Sequence, residues 1–313
     1  MEETREMVKV WPRKDISRET YMTRVTSKRG AGRGYELEGA VGMYPSVTHI
    51  LSYTTVKHAL PQWYAKKVAE KAGEHWQNEY KPRHDTPVDE FIKDIKSAPS
   101  EEFKHAGKVG TEVHDLINKA IRYKMDNPYT TWEEVGNEII KDYSESLPWP
   151  EAHRAFENWI AFIIANYPDI VFLETEFATY IDGHVVSPDH GGTVNIPLYA
   201  GTVDADGLTP DHKLVVFDWK TGSGIYDEAG YQVAAYCNSI WNGNEQLADI
   251  YGGITGAVVR LSKTDAEFEV KTITDWERPS IVFKTMCSLY TQLSYPVFDK
   301  KAKMPRKKKV SNA

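Results

Sequence analysis

The sequence feature that most constrains the fold is an apolar run that ends in two opposite charges. Residues Leu214–Phe217 read Leu-Val-Val-Phe, and Asp218, Trp219 and Lys220 follow at once. Consecutive large apolar residues predict a strand that is covered on both faces, in the interior of a sheet. Side chains two residues apart on a strand point to the same face, so Asp218 and Lys220 lie side by side. Because burying an unpaired charge is costly, this pattern favours a functional site over a surface ion pair.

The segments around this strand predict a mixed α/β fold. Alternating or β-branched segments predict four further strands, and apolar residues at three- and four-residue steps predict the helices. The predicted strands are 170–179, 199–207, 252–261 and 267–274, and the predicted helices are 62–72, 106–124, 151–166, 228–240 and 278–293. Strands grouped behind a helical region favour a mixed sheet flanked by helices over an alternating barrel.

Charge is unevenly distributed along the 313 residues. The chain has 38 Lys and Arg against 45 Asp and Glu, a formal net charge of -7, yet residues 300–309 hold seven basic residues and no acid. Without that tail, 31 basic and 45 acidic residues leave a net charge of -14. A basic tail on an acidic body is typical of a nucleic-acid partner, and Lys307, Lys308 and Lys309 are candidate DNA contacts. A solvated terminus or a nuclear-localisation signal are the alternatives for the tail.

The remaining composition excludes several classes of protein. Hydrophobic residues make up 41% of the chain and aromatic residues 12%, enough to bury a core. The two cysteines, Cys237 and Cys287, are too few for a disulfide framework, a four-cysteine zinc site or an iron–sulfur cluster. No apolar run reaches the roughly 18 residues that span a bilayer, and the first residues lack the apolar segment of a secretion signal. We therefore expect a soluble, cytoplasmic protein.

Two carboxylates and a lysine are expected to meet at one point of the sheet. Asp204 ends the strand before the one that carries Asp218. The oxygens of both carboxylates, with the carbonyl of Trp219, suit a hard divalent cation such as Mg²⁺ or Mn²⁺. Lys220 would then orient or deprotonate a water, or offset charge on an oxyanion. An isolated Asp-x-Lys is more often a surface ion pair, but the apolar run before it favours a site.

Two predicted helices carry polar residues at one-turn spacing. His114 follows Gly110 by one turn, and the small Gly110 leaves space on the histidine's face. Gln232 and Tyr236 are also one turn apart, on a face that we predict to be separate from the apolar stripe through Val233. Taken alone, each of these residues is an ordinary helix residue.

In chain order these features resemble the RecB-type branch of the PD-(D/E)XK nucleases. They read Gly-Thr-x-x-His, a strand glutamate, Gly-Thr-x-Asp, Asp-x-Lys-Thr-Gly and Gln-x-x-x-Tyr, and they extend from Thr111 to Tyr236. That branch includes many phage exonucleases and the mitochondrial genome maintenance exonuclease. The resemblance implies a restriction-endonuclease-like core with a mixed central sheet.

The resemblance also implies a role for each matching residue. The metal ligands would be His114, Asp204 and Asp218, with the carbonyl of Trp219 as the further ligand suggested above. The catalytic residues would be Lys220, Asp218, Asp204 and Glu176, and the DNA-contacting residues Gln232, Tyr236 and Thr221. Glu174 lies on the same predicted strand face as Glu176 and is the alternative strand glutamate. Some CRISPR-associated members hold an iron–sulfur cluster on four cysteines, and with two cysteines we expect none here.

These observations predict a metal-dependent DNA exonuclease of phage or bacterial recombination, repair or replication. Its substrate would be single-stranded DNA or DNA with free ends, and recombination or replication proteins are candidate partners. A non-catalytic DNA-binding module of a recombination complex and an endonuclease of the same fold are the alternatives.

The predicted organisation has four parts. Residues 1–44 form an N-terminal extension, 45–166 a helical lobe, 167–298 the nuclease core and 299–313 a basic disordered tail. Polar, proline-containing residues at 73–105 indicate short helices and loops. The long segment 181–198 indicates a hairpin insertion between two core strands. The helical lobe would line a channel for a single strand, with four aromatic residues available to stack on bases: Trp63, Trp76, Tyr80 and Trp132.

Overall fold

The computed structural model describes residues 3–11, 20–27, 33–40, 42–55, 59–78, 88–143, 149–186, 193–242 and 251–294. Within these ranges the strands are β1 (Glu3–Lys9), β2 (Tyr21–Ser27), β3 (Arg33–Leu37), β4 (Tyr44–Pro45), β5 (Val171–Val186), β6 (Thr193–Leu208), β7 (Leu214–Lys220), β8 (Ile254–Leu261) and β9 (Phe268–Ile273). The helices are α1 (Val47–Thr54), α2 (Ala59–Asn78), α3 (Val88–Asp126), α4 (Trp132–Tyr143), α5 (Pro150–Asn166), α6 (Asp227–Trp241) and α7 (Glu277–Ser294).

A five-stranded mixed sheet in the order β5-β6-β7-β8-β9 forms the centre of the molecule. Its neighbouring strands are antiparallel except β7 and β8, which run parallel and are joined through α6. The predicted mixed α/β architecture is confirmed. So is the central place of β7, because Leu214–Trp219 are buried.

Helices cover both faces of this sheet. On one face α3, α4 and α5 pack on Phe217 and Trp219, and the ring of Trp159 on α5 lies 6.0 Å from that of Trp219. On the other face α1, α6 and α7 pack on Val216 and Val258. Two apolar layers therefore sandwich β7, which is why charges at its end are held in fixed surroundings.

The helical region differs from the prediction in two places. Residues 88–126 form the single helix α3 although Pro99 lies inside it, so the predicted short helices and loops over 88–105 are wrong. An internal proline costs about 3 kcal/mol, and packing of α2 along α3, with Trp63 and Phe103 ring centroids 4.6 Å apart, offsets part of it. Trp132 is also not a stacking residue, because it is buried against Trp159.

The N-terminal residues form a four-stranded antiparallel sheet, β1-β2-β3-β4, whose strands were not among those predicted from the sequence. This N-terminal sheet packs on the β5–β6 hairpin through Met22, Tyr35 and Tyr180. Bridges from Val10 to Ala178 and from Ser46 to the same hairpin join the two sheets. The N-terminal sheet is therefore in contact with the strands that carry the predicted site.

Other predictions concern segments at the ends of elements. Residues 181–186 and 193–198 belong to the antiparallel β5–β6 hairpin, as expected, and residues 187–192 lie outside the described residues. Ser46 caps α1, accepting a hydrogen bond from the backbone N–H of His49 at 3.1 Å. The side chains of Trp76 and Tyr80 and the basic tail with Lys307, Lys308 and Lys309 lie outside the described residues. Among the described helices, none combines the length and apolarity needed to cross a membrane.

Candidate functional site

The predicted acidic residues lie where β6 and β7 stop pairing. Ala205 and Phe217 are the last paired residues, and beyond them a carboxylate oxygen of Asp204 accepts the backbone N–H of Trp219 at 2.7 Å. Val203 packs in the α6–α7 layer and Ala205 in the α3–α5 layer, although residues two apart share a face in a regular strand. The backbone is therefore irregular at Asp204, and its side chain fills the opening between the two strands.

Glu176 occupies the matching position on β5. Thr175 pairs with Ala205 and Phe177 with Val203, which places Glu176 opposite Asp204. The φ angle of Glu176 is +52°, a left-handed conformation that is uncommon for a residue with a side chain. Such local strain concentrates at functional sites.

His114 on α3 completes a group that we call the histidine cluster: His114, Glu176 and Asp204. Its Nδ1 lies 3.4 Å from Asp204 Oδ1 and 3.9 Å from Glu176 Oε1, and its Nε2 lies 3.2 Å from the carbonyl oxygen of Trp219. Burial works to lower the pKa of His114, but the charge and hydrogen bond of Asp204, with a smaller effect of Glu176, outweigh it and raise the pKa well above its usual value. The imidazole is therefore protonated between the two carboxylates when nothing else neutralises them.

A glycine lets α3 approach β7 this closely. A Cβ on Gly110 would lie 3.3 Å from Oγ1 of Thr221, just after the end of β7. The space that Gly110 leaves is thus filled by Thr221, and His114 one turn later reaches the backbone of Trp219. Thr221 itself is half-buried and lies at the edge of the site.

The second half of the site is a hydrogen-bonded group that we call the lysine network: Asp218, Lys220, Gln232 and Tyr236. Lys220 Nζ lies 2.9 and 2.7 Å from the two Asp218 oxygens and 3.3 Å from the Gln232 side-chain oxygen. The amide nitrogen of Gln232 donates to Asp218 at 2.9 Å and to the Tyr236 hydroxyl at 3.0 Å. The predicted same-face placement of Asp218 and Lys220 is confirmed by this contact.

Burial sets the ionisation of this network. It raises the pKa of Asp218 to about 6, against the opposing charge of Lys220 and with a further increase from Asp204. For Lys220 burial works to lower the pKa, but the charges of Asp218 and Asp204 outweigh it and raise the pKa. Lys220 is therefore an ammonium ion, which favours charge stabilisation over proton abstraction.

Tyr236 does not line an open surface. It is 2% exposed and packs in the α6–α7 layer with Val233, so its predicted separation from the apolar stripe is wrong. A Cβ on Gly201 would lie 2.5 Å from the Tyr236 ring, which shows how closely the ring is seated on β6. The contact of Tyr236 with the site passes through Gln232, and a direct contact with DNA does not fit this burial.

The structure separates the predicted metal ligands into two groups. Donor atoms of His114, Glu176 and Asp204 lie within 4.8 Å of one another and could hold a metal ion. Asp218 is instead bound to Lys220 and Gln232. The two strand glutamates are distinguished as well, because Glu176 lies beside His114 whereas Glu174 pairs with Lys9 at 2.7 Å.

The N-terminal sheet adds residues to this region that no motif indicated. The Tyr35 hydroxyl is 2.8 Å from the Thr202 hydroxyl, and Arg24 Nη1 lies 3.4 Å from the same oxygen. Thr202 is two residues before Asp204 on β6. The sequence carries no signal for these contacts, since the partners are more than 160 residues apart.

Comparisons with known proteins give no identity. The chain matches no protein-family model and no curated protein. Among solved structures, the crystal structure of SSO0001 is similar over 59% of this chain and 77% of that chain, at 17% sequence identity and a TM-score of 0.27. A TM-score this low does not define a common fold.

Proposed function

We propose that this protein is a divalent-metal-dependent DNA exonuclease with a RecB-type PD-(D/E)XK core. One observation carries the proposal: side chains from α3, β5, β6, β7 and α6 converge beside one opening of the central sheet. These elements are far apart in the chain, and charged side chains can be accommodated at the protein surface. Their convergence at one place therefore supports a shared chemical function. The converging residues are His114, Glu176, Asp204, Asp218, Lys220 and Gln232, in the order of the motifs identified in the sequence.

The histidine cluster fits a divalent cation such as Mg²⁺ or Mn²⁺. It offers an imidazole nitrogen and two carboxylates, and the imidazole suits Mn²⁺ better than Mg²⁺. The raised pKa of His114 supports the same conclusion, since it reports an excess of negative charge that a cation would neutralise. When bound, such a cation polarises a phosphodiester and lowers the pKa of water.

The carbonyl of Trp219 has two uses in this arrangement. As it stands, it accepts a hydrogen bond from Nε2 of His114 and so directs Nδ1 towards Glu176 and Asp204. Backbone carbonyls commonly orient a metal-binding imidazole in this way. Direct ligation by the carbonyl of Trp219, together with Asp218, is the alternative arrangement that we predict from the sequence.

Lys220 is the residue of this chain best suited to stabilise a transition state. Phosphodiester hydrolysis places additional negative charge on the phosphoryl oxygens, and a fixed ammonium ion can donate hydrogen bonds to them. Asp218 and Gln232 hold Nζ in place, and Tyr236 holds Gln232. Because these contacts exist before a substrate binds, little reorganisation is needed during the reaction.

DNA as the substrate is supported by features outside the two groups. Half-exposed rings of Trp63, Tyr64 and Phe103 lie together between α2 and α3 and are available to stack on bases. The basic residues at 300–309 could add contacts to phosphates. Free ends as the point of attack follow from the family resemblance alone.

The test is cleavage of end-labelled single- and double-stranded DNA with Mg²⁺, with Mn²⁺ or with EDTA. Release of labelled mononucleotides or short fragments, lost in EDTA, is expected. Cleavage of closed circular DNA would indicate an endonuclease instead. Binding without cleavage in either metal would favour the non-catalytic DNA-binding module. The absence of both binding and cleavage would contradict the proposal.

A further inference from the structure

An arginine of the N-terminal sheet lies against the strand that carries Asp204. Arg24 on β2 pairs in register with Glu6 on β1 and with Tyr35 on β3, which makes a row of three side chains on one face of that sheet. This face meets the β5–β6 hairpin, where Arg24 Nη1 lies 3.4 Å from the Thr202 hydroxyl. Thr202 is separated from Asp204 by one residue, so the guanidinium lies beside the histidine cluster.

The surroundings of Arg24 differ from those of a surface ion pair. Its side chain is 22% exposed, and its acidic partner Glu6 is 56% exposed. Exposed cross-strand ion pairs contribute little and do not require a buried guanidinium. The pair with Glu6 therefore explains the charge balance of Arg24 but not its position against Thr202.

Electrostatics links Arg24 to the histidine cluster. Burial works to lower the pKa of Arg24, the hydrogen bond and charge of Glu6 outweigh it, and Tyr35 and Glu176 add to the resulting increase. The guanidinium of Arg24 therefore interacts electrostatically with the carboxylate of Glu176. It brings a permanent positive charge to a region that holds Glu176, Asp204 and Asp218.

We propose that Arg24 is a substrate-positioning residue whose guanidinium exchanges the Glu6 carboxylate for a phosphate of the DNA strand lying at the histidine cluster. This inference rests on the proposed nuclease function. A planar guanidinium has five N–H donors and matches phosphate oxygens in a two-bond geometry, as it matches a carboxylate. Glu6 on the solvent side serves as the partner that a phosphate replaces. The hydroxyl of Tyr35 holds the Thr202 hydroxyl in place, and Thr202 in turn positions the guanidinium of Arg24.

The effect should appear in binding and not in turnover. Arg24 contacts Thr202, whereas Lys220 contacts Asp218 and Gln232, so we expect Arg24 to hold a phosphate equally in the ground state and in the transition state. Loss of such uniform binding raises KM and leaves kcat nearly unchanged. Arg24→Ala should raise KM about tenfold or more, as expected for loss of a charged hydrogen bond.

The experiment compares full-length variants in binding to a fluorescent single-stranded oligonucleotide in Ca²⁺ and in cleavage with Mn²⁺. Arg24→Ala should weaken binding about tenfold and reduce the log–log salt slope by about 0.7, the contribution of one phosphate contact on a single strand. Arg5→Ala is the matched control, because Arg5 is the neighbour of Glu6 on β1, points to the other face and pairs with Glu36 at 2.9 Å. It should behave like wild type.

Two further variants keep the inference testable if Arg24→Ala is unstable. Arg24→Lys should retain the salt slope but bind more weakly, because an ammonium ion keeps the charge without the two-bond geometry. Glu6→Gln should bind as tightly as wild type or more tightly, since it releases the guanidinium.

Several results would overturn the role of Arg24. Arg24→Ala would overturn it by binding DNA with the affinity and salt slope of the wild type. Arg24→Lys would overturn it by binding with full affinity, and Glu6→Gln would overturn it by binding more weakly than the wild type. Each of these results presupposes that the wild-type protein binds and cleaves DNA, so the proposed nuclease function would be retained. A wild-type protein that neither binds nor cleaves would overturn both proposals.

Discussion

The histidine cluster and the lysine network lie side by side, yet their charges are satisfied in different ways. In the cluster the distances from His114 Nδ1 to the acidic oxygens are 3.4 and 3.9 Å, too long for strong hydrogen bonds. In the network Asp218, Lys220 and Gln232 are joined at 2.7 to 3.3 Å. Asp218 is 1% exposed, whereas His114 is 29% exposed.

This difference indicates a division of labour. The network is joined by its own hydrogen bonds as folded, although Oδ2 of Asp218 is buried without a hydrogen-bond partner and meets Lys220 Nζ as an ion pair at 2.7 Å. The cluster holds two carboxylates that only one imidazolium separates, and a divalent cation would satisfy them better. Asp204 connects the two, because its charge also raises the pKa of Asp218. Removal of a cluster residue should therefore act through the metal, and removal of a network residue through turnover.

The largest effect is expected for Asp204→Ala. This change removes a cluster carboxylate and the acceptor of the Trp219 N–H, so cleavage should fall by more than the roughly 100-fold that loss of an outer-sphere residue causes. Cleavage of end-labelled single-stranded DNA at saturating Mn²⁺ measures it. Asp211→Ala, an exposed acid in the turn before β7, is the control and should retain activity. Retained activity in Asp204→Ala would remove Asp204 from the site.

The next effect concerns the network. Lys220→Ala should lower kcat about a hundredfold, as loss of a preorganised donor does, and leave DNA affinity in Ca²⁺ unchanged. Lys220→Arg should not rescue, because the wider guanidinium does not fit between Asp218 and Gln232. Lys213→Ala, at the other end of β7, is the control. An affinity loss that matches the loss of activity would make Lys220 a phosphate-binding residue.

A smaller effect separates the two metals at the cluster. His114→Ala should lose about tenfold more activity in Mg²⁺ than in Mn²⁺, because the metal with the stronger affinity for nitrogen and oxygen ligands tolerates a missing ligand better. Activity is titrated against each metal. His105→Ala on the same helix, where His105 pairs with Glu151, is the control. Equal losses in both metals would show that His114 does not act on the ion.

The sequence predicted β7 and its charged end because one local pattern determines both. An apolar run covered on two faces fixes the strand, and side-chain alternation then places Asp218 beside Lys220. Pro99 misled the prediction of α3, since local propensity did not reveal the packing of α2 on it. Tyr236 misled the prediction of the α6 surface, because its apolar ring can be buried while its hydroxyl still reaches Gln232.

Arg24 could not be predicted from the sequence. It contacts Thr202 across 178 residues, and the contact depends on how the N-terminal sheet docks on the β5–β6 hairpin. The three side chains Glu6, Arg24 and Tyr35 come together only through strand register. No spacing within the sequence encodes such a row, whereas the spacings of His114 and Gln232 on single helices are local.

The smallest effect is expected in the melting temperature without metal, where Asn variants of Asp218 and Asp204 should differ by a few degrees. Burial raises the pKa of Asp218 to about 6 in the fold, against the charge of Lys220. Its ionised form is therefore destabilising relative to its neutral form. This penalty is absent below about pH 4, grows between about pH 4 and 6 and is complete above that range. Asp218→Asn should melt higher than wild type at neutral pH and level with it near pH 4.

Asp204 should show the opposite sign. Burial works to raise its pKa, but the charge and hydrogen bond of His114 outweigh burial and lower it. Ionised Asp204 therefore stabilises the fold above about pH 4, and this stabilisation is lost as the pH falls through the lowered pKa. Asp204→Asn should melt lower than wild type at neutral pH and still at about pH 5. Thermal unfolding in EDTA across this range measures both variants, with Asp115→Asn as the control for an exposed acid on α3. Melting shifts of the same sign for Asp204→Asn and Asp218→Asn at neutral pH would mean that the cluster and the network do not differ in how their charges are satisfied.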